Sequence, residues 1–232
     1  MGACRDRLAK EGSNLSAFDS LENAADIEDL RLALGYDKIN LYGVSYGTLL
    51  ALHYMRQYPD SLRSVILDGV VPPQTNFLLE VAKTEDRAFT QLFTACAKDP
   101  ACNRAYPDLE KTFFELVKQF DQTPAIVPLT DPDSNITYNT VFNGEGFQGT
   151  LFQLLYAGSL VPALPRMIYD AKRGNFDFMG SIMPIIIFDR TSSYGMYYSV
   201  LCAEDADFTP DQQDLAGVRP QIAEVEKRSP GE

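Results

Sequence analysis

The sequence predicts an α/β fold: part of a parallel sheet, built around one βαβ unit, with a mainly helical cap inserted into it. Three observations predict this. Residues 38–68 read as strand, tight turn, helix and strand; the texture turns helical after residue 75; and a serine between glycines, GVSYG at Gly43–Gly47, sits where the first strand meets the helix.

Each element follows from local pattern. Residues 22–35 place Ala25, Ile27, Leu30, Leu32 and Leu34 on a largely helical pattern that stops at Gly35. Lys38–Tyr42 is a short strand running straight into the turn, and TLLALHYMRQYP is a helix that must close before Pro59. Leu62–Asp68, rich in aliphatic and β-branched residues, is the second strand. Strand, helix and strand in this order imply parallel pairing, because antiparallel neighbours would need only a hairpin. Beyond VVPPQ, Leu78–Lys98 and Leu109–Phe120 read as helices. Ala125–Val141 reads as a hairpin turning at DPDSN, and Phe147–Ala171 is helical but interrupted at GSLVPALP. MPIIIF at Met183–Phe188 has the length of a strand, and Gly195–Cys202 has the composition of one returning to the sheet. From Asp205 the chain is polar, a helix with a frayed tail. The expected organisation is therefore a core with the serine turn at 1–74, a cap at 75–192, and a return to the core at 193–232.

The 232 residues are 45% hydrophobic and 22% charged, the balance of a globular chain. A net charge of −12 and a pI near 4.5 argue against nucleic acid and anionic membrane surfaces, both of which would repel it. No apolar run approaches the ~18 residues of a membrane span. The N-terminal MGACRD lacks an apolar signal region, and Asp6 stands where a myristoylation signal needs Ser or Thr. Four cysteines fit two disulfides in an oxidising compartment. Cys96 and Cys102 enclose a short turn and are paired, leaving Cys4 with Cys202; the alternative is four reduced, mostly buried thiols. Their spacing, with one histidine in the chain, does not suit a metal.

The chemistry centres on Ser45. G-x-S-x-G between an apolar strand and an apolar helix is a nucleophile elbow: a sharp turn that lifts the hydroxyl above the sheet edge, with Gly43 and Gly47 where side chains would clash. The backbone N–H of Tyr46, at the helix N-terminus, would point to a developing oxyanion. A serine also needs a base and an orienting carboxylate. The one histidine, His53, lies eight residues on along the same helix. At the α-helical rise it is roughly 12 Å away, beyond hydrogen-bond reach. The sequence thus shows a nucleophile without a general base. Asp68, ending the second strand, is a position from which an acid can be recruited, although capping the VVPP turn is the simpler role.

CRDRLAKEG, NAADIEDLRLALGYDKINLYGVSYGT, YPDSLRSVILDGVVPP, LFTACAKDPAC and YYSVLCAED together resemble the tripeptidyl-aminopeptidase-like branch of the α/β-hydrolase superfamily, related to proline iminopeptidases. The resemblance implies a partial α/β-hydrolase core, a mostly secreted family, peptide substrates cleaved from a free N-terminus, and Ser–Asp–His catalysis without cofactor. It implies Ser45 as nucleophile and Tyr46 N–H as an oxyanion donor. It also implies that acidic residues under a cap bind the substrate's α-ammonium, for which Glu204, Asp205 and Glu145 are candidates; each is equally a solvated carboxylate. Tyr194, Tyr197 and Tyr198 could line a pocket or simply pack. The family's early strands, second oxyanion loop, D-x-x-T-P aspartate and Gly–His turn are not found here. The chain is thus expected to be a central fragment, inactive alone, whose open sheet edges favour self-association. Two other readings remain: a non-catalytic descendant that binds a peptide or partner, and an esterase acting on small esters or amides.

Overall fold

The computed structural model describes residues 2–206 and 212–228. In chain order these form α1 (Gly2–Lys10), α2 (Ser20–Ala33), β1 (Ile39–Val44), α3 (Tyr46–Gln57), β2 (Leu62–Asp68), α4 (Phe77–Lys98), α5 (Pro100–Ala105) and α6 (Leu109–Gln122). There follow β3 (Ala125–Thr130), β4 (Thr137–Phe142), α7 (Gly144–Leu154), α8 (Leu164–Lys172), α9 (Asp177–Ile187), α10 (Tyr194–Glu204) and α11 (Pro220–Arg228). They divide into two compact units, Met1–Glu80 with Ser193–Gln213, and Val81–Ser192 with Asp214–Glu232.

The first unit is the βαβ unit with α2 and α10. β1 and β2 pair in parallel, Tyr42 opposite Ile66 and Val44 opposite Asp68. Alternation along the strands gives the sheet two faces. Leu41, Gly43, Val65 and Leu67 lie on the half-buried to buried face, and α3 packs on both strands. Tyr42, Val44 and Ile66 share the other face and are more than half exposed. α2 packs on α3 through Tyr54, which is fully buried and donates its hydroxyl to Glu28 Oε2 at 2.6 Å. Arg31 and then that hydroxyl hold the Glu28 carboxyl down to about 2, so the contact keeps its charge across ordinary pH. Leu30, Leu32 and Leu34, expected on the packed face of this helix, are exposed.

The second unit holds the larger core. α6 carries Leu109, Phe113, Leu116, Val117 and Phe120 at helical spacing, all buried. Phe113 meets Phe89 of α4 at 4.7 Å and Phe147 of α7 at 5.7 Å between ring centroids. α7 approaches so closely that a Cβ on Gly144 would lie 2.1 Å from the Val117 carbonyl oxygen. The hairpin β3–β4 is antiparallel, as its alternation predicted. Asp131 at its turn accepts from Ser134 and Arg190. α11 inserts Ile222 into this core, buries Val225 and is tied down by Arg228 to Asp121. Arg219, just before it, reaches Asp86 and Glu110.

The Cys96–Cys102 disulfide is present, closing α4 onto α5. The other pairing is corrected: Cys4 on α1 and Cys202 on α10 are both free and exposed. The strand-sized MPIIIF run falls at the end of α9, with Ile185, Ile186 and Ile187 exposed, and one expected strand is a helix: Gly195–Cys202 lies in α10. The latter starts at an N-cap, Ser193 Oγ accepting the Met196 N–H, and Gly195 packs against Leu8 of α1. Capping and packing outweigh the β preference of its aromatic residues. Residues 207–211 and 229–232 of the polar tail lie outside the described residues. No helix among those described is long and apolar enough to cross a membrane.

Candidate active site

Ser45 has φ 53° and ψ −122°, left-handed backbone that an L-residue adopts at a cost of about 1–3 kcal/mol. Four hydrogen bonds hold it there. The Ser45 N–H donates to the Asp68 carbonyl at 3.0 Å, carrying the β1–β2 ladder one residue into the turn. The Ser45 carbonyl accepts both from Thr48 N, at 2.9 Å, and from Thr48 Oγ1, at 2.7 Å. Thr48 Oγ1 in turn accepts the Val71 N–H at 2.8 Å. The fully buried Thr48 therefore fastens the Ser45 turn to the segment leaving β2. Sequence reasoning gave Thr48 no role, though it stands directly after GVSYG.

The two glycines are unequal. A Cβ on Gly43 would sit 2.3 Å from the Gly47 carbonyl oxygen and 2.7 Å from its carbon, whereas one on Gly47 would meet nothing within 4 Å. Gly43 is demanded by the close approach of β1 to the first turn of α3. Gly47 is required only as the backbone that Gly43 approaches, which corrects the expectation that both exclude side chains.

Ser45 is exposed, and Tyr46 is the first residue of α3. Its N–H is one of those a helix leaves without an intrahelical acceptor, at the positive end of the helix dipole. His53 lies on α3, half-buried and eight residues on from Ser45. Asp68 directs its side chain to the exposed sheet face, where Oδ2 accepts from the Tyr42 hydroxyl at 3.2 Å; the carboxylate raises the tyrosine's pKa.

Glu204, Asp205 and Glu145 differ in placement. Glu204 reaches the first turn of α3 indirectly: its Oε2 accepts from Ser20 Oγ at 2.8 Å, its Oε1 accepts from Ser20 N, and Ser20 Oγ lies 3.0 Å from the Tyr46 hydroxyl. Asn23 Nδ2 donates to that same hydroxyl at 3.1 Å. Asp205 faces the start of α4, where Oδ1 accepts the Phe77 N–H and the backbone carbonyl accepts from Asn76. Glu145 lies in the first turn of α7, in the second unit. Tyr194, Tyr197 and Tyr198 are exposed on α10. Ser20 and Asn23 were not singled out by sequence; their only signal was the helix-start pattern around Asp19. Among the described residues no cluster of three or more His, Cys, Asp or Glu side chains could hold a metal.

A strained serine between a parallel strand and a helix N-terminus, with glycine forced two residues earlier, is the strand–turn–helix arrangement expected of the G-x-S-x-G motif. Residues 4–115 match the alpha/beta hydrolase fold family, and the chain carries part of that fold. Serine protease Hip1 of Mycobacterium tuberculosis is 34% identical over 105 residues, 44% of this chain and 20% of Hip1. Tripeptidyl aminopeptidase of Streptomyces lividans is 39% identical over 64 residues, 28% of this chain and 12% of that enzyme. Proline iminopeptidase of Xylella fastidiosa is 36% identical over 58 residues, 25% of this chain and 18% of that enzyme. The matched segment thus spans about a fifth, or less, of each relative's length.

Proposed function

We propose that this chain carries the nucleophile segment of a serine peptidase of the aminopeptidase kind, and that alone it does not hydrolyse peptides. The observation that carries the reading is the elbow itself: a strained, exposed Ser45 clamped by Asp68 and Thr48 beside the Tyr46 N–H. Matches to a serine protease, a tripeptidyl aminopeptidase and a proline iminopeptidase support peptides as the substrate class. The lone histidine, on α3 and out of reach of Ser45, supports inactivity of this chain by itself, since no other residue here supplies an imidazole base. The base and its carboxylate would come from outside these 232 residues. The Cys96–Cys102 bond supports an extracytoplasmic setting. The exposed Tyr42, Val44 and Ile66 on a two-stranded sheet support self-association. Of the three ammonium-binding candidates, Glu204 and Asp205 already accept hydrogen bonds within the first unit, which leaves Glu145 the less committed.

The test is hydrolysis of tripeptidyl arylamides and simple aryl esters by the purified chain and by Ser45→Ala. The expected result is no turnover that depends on Ser45 with either substrate. Arylamide turnover lost in Ser45→Ala would overturn the inactivity, and turnover confined to esters would overturn the peptidase assignment.

A further inference from the structure

Glu204 lies 184 residues from Ser20 in sequence, yet its carboxylate terminates a hydrogen-bond chain that begins beside the nucleophile. Donor inventory fixes the direction of that chain. Ser20 has one hydroxyl hydrogen and gives it to Glu204 Oε2, because an ionised carboxylate only accepts. The Tyr46 hydroxyl, 3.0 Å from Ser20 Oγ, must then donate to it. Tyr46 keeps acceptor capacity, which Asn23 Nδ2 uses at 3.1 Å. The order runs Asn23 to Tyr46 to Ser20 to Glu204, with each hydroxyl both giving and taking. The second Glu204 oxygen accepts the Ser20 N–H, next to the Asp19 side chain that accepts from Leu21 N and Glu22 N. Ser20 is fully buried, so a partner lost there is not replaced by bulk water.

We infer that Glu204 is a positioning residue of the nucleophile elbow, acting through Ser20 on Tyr46. The chain joins α10, the start of α2 and the first residue of α3. It fixes the Tyr46 side chain and with it the turn that presents the Tyr46 N–H to an oxyanion at Ser45. Two turns further along α3, Tyr54 is held independently by Glu28 and Ser61, so the two ends of the helix have separate anchors. The inference rests on reading Ser45 as the nucleophile, but it concerns conformation and does not require turnover.

The test is amide NMR on the 15N-labelled chain. The Ser45 and Thr48 N–H groups, bonded across the elbow, report its integrity. Ser20→Ala, Glu204→Gln and Tyr46→Phe each cut one link; glutamine keeps the size of Glu204 but presents a donor to Ser20 Oγ. Each variant is expected to speed Ser45 and Thr48 exchange roughly tenfold or more, with the amide of Tyr54 unchanged. Ser20→Ala/Glu204→Gln should be no worse than either single variant, because both break one chain. In Glu204→Gln the Ser20 and Tyr46 amide resonances should both move from their wild-type positions, because the hydrogen-bond chain that links them is cut. Tyr46→Phe alters an exposed residue and keeps the test open should Ser20→Ala fail to fold. Unchanged exchange at Ser45 and Thr48 in the folded variants would overturn the inference. So would a free-amine tripeptide, but not its N-acetyl form, shifting the Glu204 and Ser20 resonances, since that would make Glu204 a substrate contact. Ser45-dependent turnover, which would overturn the inactivity proposed above, leaves these results standing.

Discussion

Gly43→Ala is expected to destabilise the first unit by about 3 kcal/mol or more, enough to unfold it, while Gly47→Ala is tolerated. The added methyl at Gly43 would stand 2.3 Å from one backbone atom and 2.7 Å from another, and neither can swing aside as a side-chain end would. Relief would require β1 to move away from α3, breaking the Ser45–Asp68 and Thr48–Ser45 bonds that hold the strained turn. At Gly47 the same methyl enters open space on a helix, where alanine is favoured over glycine by up to about 1 kcal/mol. Urea unfolding of the two variants measures the contrast. Equal effects would mean that the elbow is not packed as described.

The second large effect concerns pH and the buried pair Glu85 and Glu226. Glu85 on α4 and Glu226 on α11 are both almost fully buried in the second unit and hydrogen-bonded to each other. Gln148 Nε2 donates to Glu85 Oε2 at 3.3 Å, and Asp86 adds further negative charge nearby. Burial, then repulsion from Glu226, pushes the Glu85 carboxyl up to about 8 from its ordinary 4.5. The folded state therefore keeps a proton that the unfolded chain releases above about 4.5. Between about 4.5 and 8 the folded form binds more protons, so stability falls as pH rises, by a few kcal/mol over the window at about 1.4 kcal/mol per unit. Glu85→Gln keeps the hydrogen bonds without the second acid. It should flatten this slope and leave the variant more stable than the wild type near pH 8. Urea midpoints across the range check it, and parallel profiles for the two proteins would refute it. α11, attached through Glu226, Ile222 and Val225, should be the first helix of this unit to loosen at high pH.

The βαβ unit was legible because local signals agree there: an aliphatic strand, a glycine-flanked turn, an apolar helix and a second strand. The hairpin and the long helices α4 and α6 were legible for the same reason. α10 was not, because GMYYSVLC has strand composition and its helix depends on the Ser193 cap and on Leu8 of a distant segment. The free state of Cys4 and Cys202 was equally hidden, since an even count says nothing of where the thiols point. At the site, the sharp turn at Ser45, the helix start at Tyr46 and the place of His53 on that helix could be read from the sequence. Ser20, Asn23 and Thr48 could not, because each acts by contacts with residues far away in sequence or by a backbone bond. Glu85 sits among Lys83, Asp86 and Arg87, so nothing in its surroundings marks it as buried.

The central claim is that Ser45 stands in a fully built elbow yet lacks a base within this chain. Reaction with a fluorophosphonate probe tests it most directly, because the probe labels an activated serine and spares ordinary hydroxyls. The expected result is labelling of the purified chain no greater than that of Ser45→Ala. Stoichiometric labelling at Ser45, lost in Ser45→Ala, would contradict the claim and require a base among the residues described.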